Sequence, residues 1–462
     1  MVYNFVYSLT RNVPQFFRNG IRIIPIHYRL GGRVFSNTYN FLLKSELWTS
    51  QQNMHYQKEK LDVVFQHLRK DVPYYKKITL SSDDTFKRLK ELPVITKDEI
   101  QNNFAQFLSD DFSKVNTYHV TTGGSSGNQL KFYLDNSTYG IEWAFVAAAW
   151  KRAGYIPGDR LISFRGVEFR NADKGIYWQD NPVYNTLEMS PFHISPETLP
   201  GYVRMIKKVK PKFIHGYPSA ISFFAKYLED EGIELTGIKS VFAVSENVYQ
   251  DQRELIERVF HSRFFSFYGM SEKVIMAPEC ECNTRYHAFP QYGITEILDK
   301  NGDPVGEGEQ GELVGTGFMN HCMPFVRYRT GDLASFSEEP CSCGRHHMII
   351  NDIEGRWDID VVIGKNGARI PAAAMNFHSD IFNDVNKFQF HQVKKGEVIL
   401  KIVLKQGAFT LDENRLIQQI QRKTADNLDI IIQYVDDIQL TPRGKYKMII
   451  QEISNTMPGH SG

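Results

Sequence analysis

The chain has no apolar run approaching the roughly 18 residues that cross a bilayer. Its start also lacks the apolar core and small-residue cleavage site of a secretory leader. A cytoplasmic location is therefore expected, with no transmembrane segment. A charge excess of either sign is missing too: 54 Lys and Arg stand against 53 Asp and Glu, for a formal net charge of +1. Proteins that grip duplexes carry a basic stripe that releases counterions, so nucleic acid is set aside as a partner. Cysteine is scarce, with five in 462 residues, which excludes a disulfide framework. The first 45 residues lack acids altogether, because Arg11, Arg18, Arg22, Arg29, Arg33 and Lys44 all precede Glu46. Rich in Phe and Tyr, this arm can make peripheral contact with an anionic membrane surface, or pack on the body or on a partner subunit. Pro14, Gly20, Pro25, Gly31 and Gly32 interrupt any long amphipathic helix, which favours packing, and the aromatic arm favours a homodimer.

Core material is plentiful, at 42% apolar and 13% aromatic residues, and the length is too great for one core. Val115 to Thr122 alternates like a strand, GGSSGN makes a loop and LKFYL resumes an extended pattern. A helix is expected from a cap at Asn136 or Ser137 to Gly154. Between Glu197 and Glu272 the period switches repeatedly: a helix to Lys210, strand KFIHGY, helix SAISFFAKYLEDEG, strand KSVFAVSE, helix NVYQDQRELIERVF and strand FFSFYG. Such alternation predicts a mainly parallel sheet covered by helices, with ligands at the carboxyl ends of its strands. Gly216 with its neighbours His215 and Tyr217, Ser245 to Asn247, and Tyr268 to Glu272 should then line one crevice. Beyond Tyr292, NGDPVGEGEQG reads as a turn within a smaller β region. After Asp358 the pattern is strands around a helix from Glu413 to Leu428. The expected class is α/β. A large N-terminal domain over residues 1–354, with an arm and helical region over 1–90, is followed by a small mobile α+β domain over 355–462.

Five signatures carry the chemistry. In VTTGGSSGNQLKFY, the hydroxyls of Thr121, Thr122, Ser125 and Ser126 accompany Gly123, Gly124 and Gly127, whose freedom lets consecutive N–H groups turn toward one anion. A polyphosphate suits it. The loop lacks the GK[ST] ending of a P-loop and runs into a strand, and Gly306 to Gly311, a G-x-G-x-x-G, carries Glu307 and Glu309, which repel a pyrophosphate. FYGMSE ends a strand with Tyr268, Gly269, Met270, Ser271 and the acid Glu272. YRTGD presents Asp332, GRWD presents Arg356 and Asp358, and TPRGK presents Lys445 beside Arg443 and Lys447.

In this order the set resembles the adenylate-forming (acyl-CoA synthetase-like) superfamily, and within it the phenylacetate-CoA ligase branch with its CapK-like capsule-biosynthesis relatives, over roughly Leu92 to Ile450. The resemblance implies an ATP-dependent ligase that makes an acyl-adenylate and pyrophosphate from a carboxylic acid. The acyl group then passes to coenzyme A, or to an amine as in an amide ligase; a non-catalytic nucleotide-binding scaffold is the other class. It implies that the Thr121 to Gly127 loop and Lys131 hold phosphates, and that Tyr268 stacks near adenine. Glu272 would hold Mg2+ and Asp332 the ribose hydroxyls, with Arg356 a cation for ribose or phosphate. Asp358 would be a hinge, and Lys445 the catalytic cation. Gly123 stands where the family carries Ser, Gln129 where Pro is common, and Ile359 where many members have a second hinge acid. The acyl pocket is expected near His215, Gly216, Tyr217, Ser245, Glu246 and Phe267. Four cysteines occur as Cys280-Glu-Cys282 and Cys341-Ser-Cys343, with His287, His346 and His347 nearby. Thiolates and imidazoles bind zinc tetrahedrally. The resemblance points to Cys282, His287, Cys341 and Cys343 as a structural zinc site, with Cys280 as the substitute.

Overall fold

The computed structural model describes residues 19–122, 130–166, 169, 172–354, 361–371, 375, 381, 384–405, 407–408, 411–438 and 448–453. The β structure opens with a hairpin of β1 (Thr117–Thr121) and β2 (Lys131–Asp135). The central sheet follows: β3 (Leu161–Phe164), β4 (Trp178–Asn181), β5 (Thr186–Met189), β6 (Phe213–Gly216), β7 (Ser240–Ala243), β8 (Arg263–Gly269) and β9 (Met276–Pro278), in the order β4-β5-β3-β6-β7-β8-β9. Strands β5, β3, β6, β7 and β8 run parallel, and the edge strands β4 and β9 are antiparallel to their neighbours.

The expected βαβ alternation is present, with helices Leu199–Val209, Pro218–Asp230 and Gln250–Phe260 around β6, β7 and β8. The inner strands are short apolar runs buried on both faces, as parallel strands under helices must be. Proline sets the first turns of two of these helices, and Lys210 and His261 end two of them in the left-handed conformation. One sheet face, with Ile162, Ile214, Val241 and Phe264, packs under these helices. The other face, with Phe213, Phe242 and Phe265, meets the helix Thr138–Lys151, against which the helix Arg33–Ser45 lies.

A five-stranded antiparallel sheet, β10 (Tyr286–Ala288), β11 (Gly293–Leu298), β12 (Gly311–Gly317), β13 (Tyr328–Ser337) and β14 (Met348–Glu354), has the order β10-β14-β13-β12-β11. It shares a core with the β1–β2 hairpin and with Leu61, Val64, Phe65 and Leu68 of the helix Ser50–Asp71. That helix starts at a capping box, in which the Gln52 N–H donates to Thr49 Oγ1 at 3.3 Å and the Thr49 N–H to Gln52 Oε1 at 2.9 Å. The stretch from Gly306 to Gly311 is the β11–β12 turn, as its two acids imply.

Toward the C-terminus, β15 (Val361–Ile363) pairs with β16 (Arg369–Pro371), and β17 (Val385–Lys394), β18 (Glu397–Leu404), β19 (Asp429–Tyr434) and β20 (Ile449–Gln451) form a sheet in the order β19-β18-β17-β20. The helix Glu413–Lys423 buries Leu416 and Ile420. This part shares the central sheet's core through Val362, Ile370 and Met375, and Phe192 O accepts from Asn366 Nδ2 at 2.7 Å and Asn427 Nδ2 at 2.8 Å.

From residue 19 the basic arm packs on the body: Arg22 pairs with Asp180 at 2.6 Å, and Arg29 donates to the carbonyls of Pro182 and Val183. Among the described residues no helix is long and apolar enough to cross a membrane.

Candidate active site

The carboxyl ends of β6, β7 and β8 lie side by side, with Gly216 opposite Ala243 and Ala243 opposite Ser266. Just past the end of β8, two of the sequence signatures are laced together. The Tyr268 hydroxyl donates to Asp332 Oδ2 at 2.7 Å, and the Tyr328 hydroxyl donates to Glu272 Oε1 at 2.9 Å. FYGMSE thus lends its tyrosine to the acid of YRTGD and receives one back for its own. Burial, and then the Asp332 carboxylate, hold the Tyr268 phenol well above its ordinary pKa, so it stays a donor.

Glu272 is 7% exposed. Asp332 sits where β13 shifts register against β12, and such bulges re-aim side chains. The turn into it is fixed by the Asp332 N–H to Thr330 Oγ1 at 3.1 Å and by the Gly331 N–H to Glu312 Oε1 at 2.9 Å.

Thr121 and Thr122 are buried at the neck of the β1–β2 hairpin, where Lys131 stands opposite Thr121. The neck is closed by the Thr122 N–H to Leu130 O at 2.9 Å and the Leu130 N–H to Thr122 Oγ1 at 3.0 Å. The hairpin reaches the acid pair through rings: Phe132 lies 5.2 Å from Phe325, and Phe325 lies 5.1 Å from Tyr328. Gly123, Gly124, Ser125, Ser126 and Gly127 lie outside the described residues, as do Arg356, Asp358 and Lys445.

Three of the six acyl-pocket candidates can be placed on a sheet face. His215 and Phe267 share the face of Trp150, whose ring is 5.0 Å from His215. Burial first, and Arg165 second, push the His215 imidazole down to about 3, so it is neutral at ordinary pH. Tyr217 packs in the opposite core. Gly216 is a close-approach residue, since a Cβ there would stand 2.3 Å from Phe164 O. Ser245 has a left-handed backbone, with φ 65°. Glu246 turns to the start of the helix Pro218–Asp230, where it accepts from the Ser219 N–H and Oγ, both at 3.1 Å.

The cysteine cluster corrects one assignment. Cys280, His287, Cys341 and Cys343 bring one ligand atom each within 4.8 Å of one another. Cys282 is exposed and contributes only its N–H, which donates to Cys280 Sγ at 3.4 Å. The physical reason is burial: Cys280 enters the apolar pocket with Cys341 and Ile349, and the chain has turned outward two residues later. Sulfurs 280 and 341 are 3.6 Å apart, close to the edge of about 3.8 Å for a tetrahedron with 2.3 Å zinc–sulfur bonds. His287 is fully buried, and neither of its ring nitrogens has a hydrogen-bond partner in the structure. The donor set therefore fits a closed Cys3His zinc site. His347, also buried without a partner, is outside the four.

Comparison with known proteins finds similarity to ligases. Residues 362–452 match the family described as the CapK C-terminal domain. Protein CapK of Staphylococcus aureus is 24% identical over 86% of this chain and 89% of its own length. The phenylacetate-coenzyme A ligase of Thermus thermophilus is 25% identical over 66% of this chain and 71% of its own. The chain is thus similar to the adenylate-forming ligases, and among them to the phenylacetate-CoA ligases and CapK. A solved 2-hydroxyisobutyryl-CoA ligase, in complex with 2-HIB-AMP and CoA, has the same fold at TM-score 0.57 and 17% identity, over 88% of this chain and 91% of that one.

Sequence reasoning missed four residues that make contacts near these signatures. Arg165, past the end of β3, sets its guanidinium 5.9 Å from the Tyr217 ring centroid. Lys273 pairs with Glu142 at 2.8 Å, and the Tyr292 hydroxyl donates to the same carboxylate at 2.7 Å. One signal was available: Glu142 is the sole acid in the apolar helix TYGIEWAFVAAAWK.

Glu246 also makes a pH prediction. It keeps some solvent contact, but its crowding by protein pushes its carboxyl up from 4.5 to about 7 against the opposing Ser219 bonds. A folded value above the unfolded one gives stability that is complete below about 4.5 and lost as pH rises through about 7. The Glu246→Gln variant should therefore show a flatter fall in melting temperature between pH 5 and 8 than the parent, as read by calorimetry. An unchanged slope would refute the assignment.

Proposed function

We propose that this ligase joins an organic carboxylate to AMP, with release of pyrophosphate, and then passes the acyl group to coenzyme A. The observation that supports this best is the reciprocal bonding of Tyr268 to Asp332 and Tyr328 to Glu272 at the carboxyl edge of the parallel sheet, the usual ligand position in such folds. In this reading Asp332 accepts from the ribose hydroxyls, Tyr268 and Gly269 to Ser271 border the adenine, and Arg356 supplies a fixed cation. Thr121 to Gly127, with Lys131, cradle the phosphates.

Glu272 is a buried carboxylate of the kind a hard divalent cation takes as ligand. Magnesium held there would neutralise charge that otherwise repels the incoming acid. The acid enters near His215, Ser245 and Phe267, with Arg165 as a counter-charge at the mouth. A carboxylate oxygen bonds to the α-phosphorus, and the bond from that phosphorus to the pyrophosphate oxygen breaks. Lys445 stabilises the charge that develops. In the second step the thiol sulfur of coenzyme A bonds to the acyl carbon, its proton is lost and AMP leaves. Residues 355–462 act as a lid on the body formed by 1–354, hinged at Asp358, with closure gating the first step. Cys280, His287, Cys341 and Cys343 would hold a structural zinc, which would pin the segment after β9, β10 and the β13–β14 connection beside the YRTGD strand.

The test is pyrophosphate exchange across a panel of carboxylic acids, followed by hydroxylamine trapping and mass spectrometry with coenzyme A or amines as acceptor. Exchange dependent on one class of acid, and a thioester product, are expected. Nucleotide binding without exchange across the panel would mark a scaffold, and an amide product would move the acceptor to an amine. Asp332→Ala should raise the KM for ATP about 10- to 100-fold, the worth of charge-assisted hydrogen bonds of about 1.5–3 kcal/mol. An unchanged KM would remove Asp332 from the nucleotide.

A further inference from the structure

The residue after Glu272 is held in an unusual way. Lys273 has φ 59°, a left-handed conformation that a lysine rarely adopts. Its N–H donates to Met270 O at 3.2 Å, closing a turn in which Glu272 is the third residue. Strand β12 presses on the exit of this turn: a Cβ at Gly317 would stand 2.8 Å from Lys273 O. Beyond the backbone, an ion pair joins the turn to the helix Thr138–Lys151. The Lys273 ammonium meets Glu142 Oε1 at 2.8 Å, and Glu142 Oε2 accepts from the Tyr292 hydroxyl at 2.7 Å. Both members of the pair are mostly sheltered, at 20% and 21% exposed, and Tyr292 is 1% exposed. Solvent therefore screens this pair less than an open surface bridge. None of the three residues has a role in holding nucleotide or acid in the reading above.

We infer that Glu142 is a positioning residue: through Lys273 it clamps the left-handed turn that aims the Glu272 carboxylate, and so sets the affinity of the site for metal-bound nucleotide. Backbone strain persists where its surroundings over-determine it, and it clusters where a functional group must be aimed. Here the surroundings are an ion pair from a helix some 130 residues upstream and a strand packed against the turn. Loosening the ion pair lets the turn relax, which moves one carboxylate and leaves the ribose-binding and phosphate-binding segments in place. The signature is therefore selective: binding of ATP with magnesium weakens, and binding of ATP alone does not.

The inference rests on the reading that Glu272 holds magnesium, and the experiment separates the two. ATP binding to the full chain is measured with saturating magnesium and again with EDTA, for the parent, Glu142→Gln, Lys273→Gly, the double variant and Glu272→Gln, with a thermal melt of each. In Glu142→Gln the magnesium-dependent Kd is expected to rise about tenfold, an effect of about 1.4 kcal/mol, with the EDTA value within about twofold of the parent. Lys273→Gly loses less, because glycine takes the left-handed conformation without a clamp. Adding Glu142→Gln to it costs less than about twofold more, as two changes on one tie are not additive.

Equal weakening with and without magnesium, no weakening, or additive losses would each overturn the inference. If Glu272→Gln abolishes the magnesium effect and Glu142→Gln does not, only the inference falls. If Glu272→Gln leaves the effect intact, the reading of Glu272 falls and the inference with it. Should Glu142→Gln fail to fold, Tyr292→Phe must show the same metal-selective loss at smaller size, and a parent-like result there overturns the clamp.

Discussion

Carboxylate-dependent pyrophosphate exchange falls about 10²- to 10³-fold in Lys445→Ala, the effect of removing one preorganised charge from a developing oxyanion. The expectation combines chemistry with placement in the chain. Attack on the α-phosphorus loads negative charge onto oxygens that are already anionic, and a fixed ammonium stabilises that state more than the bound substrates. In the proposed reading Lys445 of TPRGK is the adenylating lysine. Four residues on, β20 (Ile449–Gln451) pairs with β17 in the C-terminal sheet. The loss should fall mainly on kcat, with KM for ATP changing less, because the charge is made in the transition state. Steady-state exchange at saturating ATP reads this directly. Lys445→Ala exchange within about threefold of the parent would assign the charge to another residue.

The second large effect concerns the cysteines. Metal analysis of the purified chain should find about one zinc per protein, absent in Cys280→Ser and His287→Ala and retained in Cys282→Ser. Loss of a structural metal belongs to the changes that cost about 4–5 kcal/mol. With about 2–4 °C per kcal/mol for a large domain, the melting temperature of the first two variants should drop by about 10 °C or more. Chelation of the parent should reproduce the drop. The contrast between Cys280 and Cys282 is the sharp part: buried sulfur 280 lies 3.6 Å from the Cys341 sulfur, and Cys282 is exposed. Zinc loss from Cys282→Ser with retention in Cys280→Ser would reverse the assignment.

How much of this was legible in the sequence depended on how far apart in the chain the cause lay. The βαβ alternation from Leu199 to Gly269 was readable because each helix and strand declares its own period over its own residues. Strands β3, β4 and β5 were not, since runs of four residues, one of them the polar WQDN, carry too little pattern. That His215, Ser245 and Tyr268 sit at strand ends followed from the alternation. Which face each side chain takes did not: Tyr217 packs in the core across the sheet from Phe267.

Cys280 and Cys282 show the same limit. A spacing of one residue offers two thiols and says nothing of which is buried. The tie among Glu142, Lys273 and Tyr292 joins positions roughly 20 to 150 residues apart, and no local pattern announces it. By contrast, the acids Glu272 and Asp332 were found from short signatures. The tyrosines that bind them reciprocally emerged only when β8 and β13 were seen to meet.

The account turns on where a nucleotide sits, and a crystal structure of the chain with magnesium and a non-hydrolysable ATP analogue tests it most directly. The account predicts ribose hydroxyls on the Asp332 carboxylate, the adenine beside Tyr268, metal on Glu272 and phosphates against Thr121 to Gly127. Adenosine bound away from both the β1–β2 hairpin and the Tyr268–Asp332 pair would contradict it.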